Sequence, residues 1–431
     1  MELKWIVLAI AVIMYAIVIA FPHRKAWATL GAAIATLIAA ALFGDAKITA
    51  LTAVTSYVNW SVMLIYIGSL AIAELFIYSR VPARIADSIV DRSPNVGVAI
   101  VAILVMTGII SAFVENVATV LVMAPIALAL SKKLKMDPTY FMVGLAVMAN
   151  LQGTATLVGD PPSMIFASFA KYGFNDFFWY NGKPSICFAV QAGMIAGAIF
   201  FYLYFRKQST KVEIEREPIV SMVPSVLLIL MIVGLAISSF FHTGISMMSG
   251  YIVIGLGAIG LVWYRFVRKE SRANTAQLIK GLDWETIIFL VGIFIVVGAI
   301  SDTGLLTDFA SFLKGVVGEN VLLGFVVIVG VSVLISGFVD NVPYIIVMLP
   351  VAATLASHMG LQAELYMFAL LIGSCLGGNL TPFGASANVV AVGLLKKQDI
   401  RMSFADWLKI GAPFTLITTT AASLFLWFVW R

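Results

Sequence analysis

Three carboxylates, Glu115, Asp160 and Asp340, stand inside stretches that are otherwise apolar. A charge at the centre of a bilayer costs at least about 2.5–3.5 kcal/mol, so each needs a reason to be there. Either it caps a helix end, or it binds Na⁺ or takes up H⁺ to couple transport. In "SGFVDNVPYIIVMLP" (Ser336 to Pro350), Asp340 or Asn341 can cap a helix that follows, with Pro343 in its first turn. Glu115 and Asn116 hold the same places in "SAFVENVATVLVMAP" (Ser111 to Pro125). In "GTATLVGDPP" (Gly153 to Pro162), Gly159 tolerates an unusual backbone, Asp160 can cap, and Pro161 fits a first turn. "GGNLTPFGAS" (Gly377 to Ser386) repeats the pattern, with Ser386 as the cap. Of the three carboxylates, Asp340 and Glu115 are the stronger candidates for coupling, while Glu74 lies near the end of its span and reaches water there. No Lys or Arg occupies a break, which weighs against a multiply charged solute.

The elements that must position these residues are membrane helices. The chain has 431 residues, 61% hydrophobic and 11% charged, with a mean hydropathy of +1.03, outside the range of a soluble domain. Ten apolar spans are expected near 5–21, 26–43, 58–77, 139–171, 185–205, 219–241, 247–264, 283–301, 364–395 and 410–430. Two further apolar pairs, 95–130 and 320–357, each fold back around a polar tip, as a re-entrant hairpin or as two crossings. The first span, preceded by Lys4 alone and lacking a small-residue cleavage site, is not expected to be a removed signal peptide. A 33-residue segment such as 139–171 would be about 50 Å long as one helix, too long for a core of roughly 30 Å, so it should break at Gly153–Pro162.

If the loop carrying Arg24 and Lys25 is cytoplasmic, alternation places every Lys and Arg there except Lys4, Lys47, Lys171, Lys183, Lys314 and Arg431. The cytoplasmic set includes Lys211 and Arg216. Both termini then lie outside, and the net charge of +5 reflects topology rather than a nucleic-acid partner. Cys187 and Cys375 are far apart, and His23, His242 and His358 are isolated, so no disulfide framework or metal cluster is expected. Cys375 reads as a small buried cysteine. "GLGAIG" (Gly255 to Gly260) sits inside a span with no strand before it, and "GTATLVG" lacks the Lys of a phosphate loop, so neither is a nucleotide site. "GMIAG" (Gly193 to Gly197) suits a close helix contact.

The sequence also repeats itself. "ISAFVENVATVLVMAPIALAL" (Ile110 to Leu130) aligns without a gap with "ISGFVDNVPYIIVMLPVAATL" (Ile335 to Leu355), and "LQGTATLVGDPPSMI" (Leu151 to Ile165) with "LGGNLTPFGASANVV" (Leu376 to Val390). Residues 1–205 and 219–431 form two units joined by a cytoplasmic linker, 206–218. Each unit has five spans, an odd number, so the second enters the membrane inverted. Inverted repeats with interrupted helices are expected of secondary transporters, with the substrate near the midplane.

At these motifs the chain resembles the ion transporter superfamily of divalent-anion/sodium symporters, arsenite permeases, sodium/proton antiporters and the melanosomal P protein. The resemblance implies an all-α polytopic fold of two inverted five-span repeats, each with a re-entrant hairpin and a broken helix. It also implies a homodimer whose transport domains move as elevators. In the symporter branch, tip Asn and loop Thr, Gly and Asn residues bind sodium and substrate. Carried over, these are Asn116, Thr156, Gly159, Asn341, Thr381, Gly384 and Asn388. Thr154, Asp160, Ser163, Asn379 and Ser386 complete the candidate set, with Na⁺ placed near Asn116, Asn341, Asp340 and Glu115. That branch has Ser-Asn-Thr tips and an Asn where Ser163 stands, differences that weigh against a dicarboxylate site. The function expected is secondary transport of a small anion or oxyacid, dicarboxylate-like or arsenite-like, across the plasma membrane, coupled to Na⁺ or H⁺. The alternative is sodium/proton antiport. No enzymatic pair of nucleophile and base is seen, and no cofactor beyond the coupling ion is expected.

Overall fold

The computed structural model describes residues 3–21, 24–43, 45–208, 217–241 and 247–431. His23, Lys211, Arg216, His242 and most of the linker lie outside them.

The described residues are almost wholly helical. In chain order the helices are α1 (Leu3–Ala20), α2 (Lys25–Leu42), α3 (Ala50–Thr52), α4 (Trp60–Tyr78), α5 (Val81–Arg92), α6 (Val96–Ser111), α7 (Asn116–Leu134), α8 (Thr139–Gly153), α9 (Pro161–Ala170) and α10 (Ile186–Phe205). There follow α11 (Val223–Ser238), α12 (Met248–Val262), α13 (Arg272–Gly281), α14 (Trp284–Asp302), α15 (Leu305–Val317), α16 (Val321–Ser336), α17 (Asn341–His358), α18 (Ala363–Gly377), α19 (Ser386–Lys397) and α20 (Phe404–Trp430). Eleven helices among the described residues are long and apolar enough to cross a membrane, and the protein is a multi-pass membrane protein.

Two groups of helices are separated by their packing. One holds α1, α2, α4, α11, α12 and α14, with α2 against α14 and α4 against α12. We call it the frame. The other holds the arms α6–α7 and α16–α17, the broken pairs α8–α9 and α18–α19, and α10 against α20. Packing within this core is reciprocal: α7 meets α19, and α17 meets α9. Gly193 and Gly197 of α10 give the close helix approach expected of them, against Thr418 and Phe414 of α20.

Both long segments break where their glycines and prolines stand. Helix α8 ends at Gly153 and α9 begins at Pro161; α18 ends at Gly377, passes through a single turn at Gly378–Leu380, and resumes as α19 at Ser386. Besides the short helices α3 and α13, three elements lie outside the spans expected from apolar length. Helices α5 and α15 are short and amphipathic, burying Val81, Ala86 and Val90 in one and Leu306, Ala310 and Val317 in the other. A two-stranded ribbon pairs Trp179–Tyr180 with Lys183–Pro184. Its turn is Asn181-Gly182, both at positive φ (48° and 74°), the pair favoured where both central residues must be left-handed.

Candidate functional site

The hairpin tips place two of the carboxylates. Glu115 precedes α7 and accepts a hydrogen bond from the Ala118 amide at 2.9 Å; Asp340 precedes α17 and accepts from the Val342 amide at 3.0 Å. Both cap otherwise unpaired N–H groups. The asparagines that follow open their helices. Asn116 accepts from the Ser111 hydroxyl at 2.6 Å and donates to Asn150 Oδ1 at 3.4 Å.

The breaks differ from expectation in three respects. Asp160 occupies the cap position of α9, but its side chain makes no capping bond. Pro161 and Pro162 fill the first two helical positions and have no N–H to offer it, and the Ser163 amide at the third donates to the Asp160 backbone carbonyl at 3.0 Å; the carboxylate lies instead beside Asn116. Ser386 is not the cap of α19: Ala385 holds that position in extended conformation, and Ser386 is the first helical residue. Gly159 and Gly384 do not have left-handed backbone. They are needed because a β-carbon would strike neighbouring carbonyls, those of Gly153 and Ala112 for Gly159 and those of Gly378 and Gly337 for Gly384.

Corresponding residues of the two broken segments make corresponding bonds. Thr156 donates to the Ala112 carbonyl and Thr381 to the Gly337 carbonyl, pinning each break to the arm that precedes its tip. Ser163 and Thr154 stay within the first break, at 3.4 Å from the Gly153 carbonyl and 3.5 Å from the Asn150 carbonyl. Asn150, buried in α8, joins the two breaks: its amide donates to Asn379 Oδ1 at 2.9 Å and to Asn388 Oδ1 at 2.8 Å. Asn388 in turn donates to the Gly378 and Thr381 carbonyls, both at 2.9 Å.

All four interruptions border one cavity of ≈ 30 Å³, room for one or two waters or a single ion. Glu115, Asn116, Asp160, Asp340, Asn341 and Ser386 line it. Thr154, Thr156, Gly159, Ser163, Asn379, Thr381, Gly384 and Asn388 are absent from its lining and shape the backbone around it. Cys375 is buried away from it.

The frame adds Lys25, Tyr66, Asp283 and Thr286 to the lining, none of them in a break or a hairpin tip. Lys25 Nζ lies 3.6 Å from Asp340 Oδ2 and 5.1 Å from the centre of the Phe289 ring. The Tyr66 hydroxyl donates to Asp283 Oδ2 at 3.4 Å. The cavity therefore does have a cation, though none comes from the breaks. Four carboxylates, Glu115, Asp160, Asp283 and Asp340, face one ammonium. Among the described residues no three Asp, Glu, His or Cys side chains cluster closely enough to enclose a metal ion. A cation here would draw its further ligands from amide and carbonyl oxygens.

A polytopic helical fold with a polar cavity between interrupted helices defines a membrane transporter. The chain belongs to the citrate transporter family (CitMHS), whose model matches residues 13–373, within the ion transporter superfamily. It is similar to an uncharacterised transporter of Mycobacterium tuberculosis, 29% identical over 90% of this chain and 92% of that protein. It is similar also to the 46 kDa membrane protein of Mycobacterium leprae, 30% identical over 86% of each, and to the P protein of Mus musculus, 26% identical over 94% of this chain and 57% of that one. In fold it resembles the YdaH transporter of Alcanivorax borkumensis, with TM-score 0.61 and 14% identity over 90% of this chain and 88% of that one.

Proposed function

We propose that this protein is a secondary active transporter that couples movement of a small anion or oxyacid to a Na⁺ or H⁺ gradient, with the cavity carboxylates as the cation site. The observation carrying this reading is the convergence of four helix interruptions on one acid-lined cavity. Helix N-termini there favour anions, and carboxylate, amide and carbonyl oxygens favour a cation. When a cation or proton neutralises Asp340 or Glu115, the site can move through an apolar environment at lower cost. The solute best suited to a lining of four carboxylates and one lysine is neutral or singly charged, such as a neutral oxyacid exchanged for protons. Cation exchange alone, as sodium/proton antiport, is the second reading. It is favoured by a cavity with room for little more than an ion.

The wider mechanism we propose follows the resemblance. Residues 1–205 and 219–431 are inverted repeats joined by 206–218, the arms α6–α7 and α16–α17 are re-entrant, and the core moves against the frame as an elevator within a homodimer in the plasma membrane. Uptake of labelled citrate, arsenite and Na⁺ into proteoliposomes, under imposed Na⁺ and pH gradients, tests the function. Gradient-dependent accumulation of an anion supports the first reading, and cation exchange without an anion supports the second. The absence of both overturns the proposal.

A further inference from the structure

Among the described residues Lys25 is the cavity's one cation, and it comes from the frame rather than from the core that carries Asp340. It opens α2, which packs on α1 and α14, and its ammonium is held over Phe289 of α14. The tip it reaches has a second hold from the frame: the Tyr15 hydroxyl of α1 donates to the Pro343 carbonyl at 3.1 Å. The Lys25–Asp340 pair is partly withdrawn from water, with side chains 15% and 26% exposed. The groups sharing the cavity with Lys25 are Glu115 before α7, Asp160 before α9, Asp283 before α14, Asp340 before α17 and Tyr66 of α4. Arg24, its neighbour in the chain, is turned toward Phe21 instead.

We infer that Lys25 is a tethered counter-ion that competes with the coupling cation for Asp340, and so sets the affinity and release of that cation. An incoming cation meets a carboxylate already paired, so its net gain is the difference between two pairings rather than a full one. When the cation leaves, Lys25 returns and no bare carboxylate is left in a low-dielectric cavity, where an unpaired charge is costly. Because Lys25 and Asp340 sit on different helix groups, relative motion of the two would also break the pair and open Asp340 to the cation. Lys25 thus sets the affinity of the cation site, and this role rests on the cation-coupled reading above.

The test is cation binding to the purified full chain in detergent, followed by calorimetry with Na⁺ and by proton uptake across a pH titration. Lys25→Gln should bind the coupling cation about two- to fivefold more tightly than the wild type, the range of a partly screened ion pair. In proteoliposomes its KM for that cation should fall and its turnover should fall too, because release is slowed. Loss of a merely structural residue would not tighten binding. Lys25→Arg should keep wild-type affinity, and Lys25→Met, which keeps the apolar stem against Phe289, should behave as Lys25→Gln. In an Asp340→Asn background, Lys25→Gln should change nothing further. Unchanged or weaker binding in both neutral variants, with the wild type binding normally, overturns the role of Lys25 alone. If the wild type binds neither Na⁺ nor H⁺, the cation-coupled reading falls with it.

Discussion

At the scale of residues, Asn150 holds the two broken segments together with one amide. Replacing it by Ala would strip Asn379 Oδ1 and Asn388 Oδ1 of a shared donor, and each buried acceptor left unpaired costs about 1–3 kcal/mol. Asn150→Ala should therefore lower the thermal unfolding midpoint clearly, measured on the detergent-purified chain. The three carboxylates were legible in the sequence because a charge in an apolar run is conspicuous, and all three line the cavity. Lys25, Tyr66, Asp283 and Thr286 were not. Lys25 and Asp283 stand at helix starts, where a lysine reads as a loop cation and an aspartate as a cap, and Asp283 does cap α14 through the Thr286 amide at 3.0 Å. Their approach to Glu115 and Asp340 depends on tertiary packing between distant segments. Asn150 could have been flagged as a polar residue in an apolar helix.

At the scale of elements, the breaks followed from length and from Gly and Pro, whereas the local chemistry of their caps did not. With two prolines opening α9 and the Ser163 amide bonded to Asp160's own backbone carbonyl, the Asp160 carboxylate makes no cap bond and stays at the cavity. Pro162→Ala would restore an N–H at the second helical position, where a cap bond is worth about 0.5–2 kcal/mol. We expect this variant to fold normally and to lose coupled flux, as Asp160 turns back to cap α9; a thermal scan paired with proteoliposome uptake checks both halves. Helices α5 and α15 escaped the sequence reading because each is too short to span and carries charges, so a search for apolar length passes over it. The ribbon at 179–184 escaped it because its strands have only two residues each, although Asn181-Gly182 was a usable hairpin signal.

At the scale of the whole molecule, the division into frame and core places the cavity at the boundary between them, where relative motion would change its contacts. The lysine and arginine distribution predicts an orientation, both termini outside, that can be checked directly. Cys187 and Cys375 are both buried. In a variant lacking them, cysteines at positions 47 and 431 should react with a membrane-impermeant maleimide applied to intact cells, and cysteines at 133 and 397 only after permeabilisation. The reverse pattern would invert the proposed topology. The central claim, that the cavity carboxylates carry the coupling cation, is tested most directly by following Na⁺ and H⁺ movement in proteoliposomes for the wild type, Glu115→Gln and Asp340→Asn, with and without a candidate anion. Wild-type vesicles should move one of these cations under an imposed gradient, and both variants, folded by thermal unfolding, should lose at least about tenfold of that flux, equivalent to roughly 1.4 kcal/mol. Variants that move cations as fast as the wild type, or a wild type that moves neither, would contradict it.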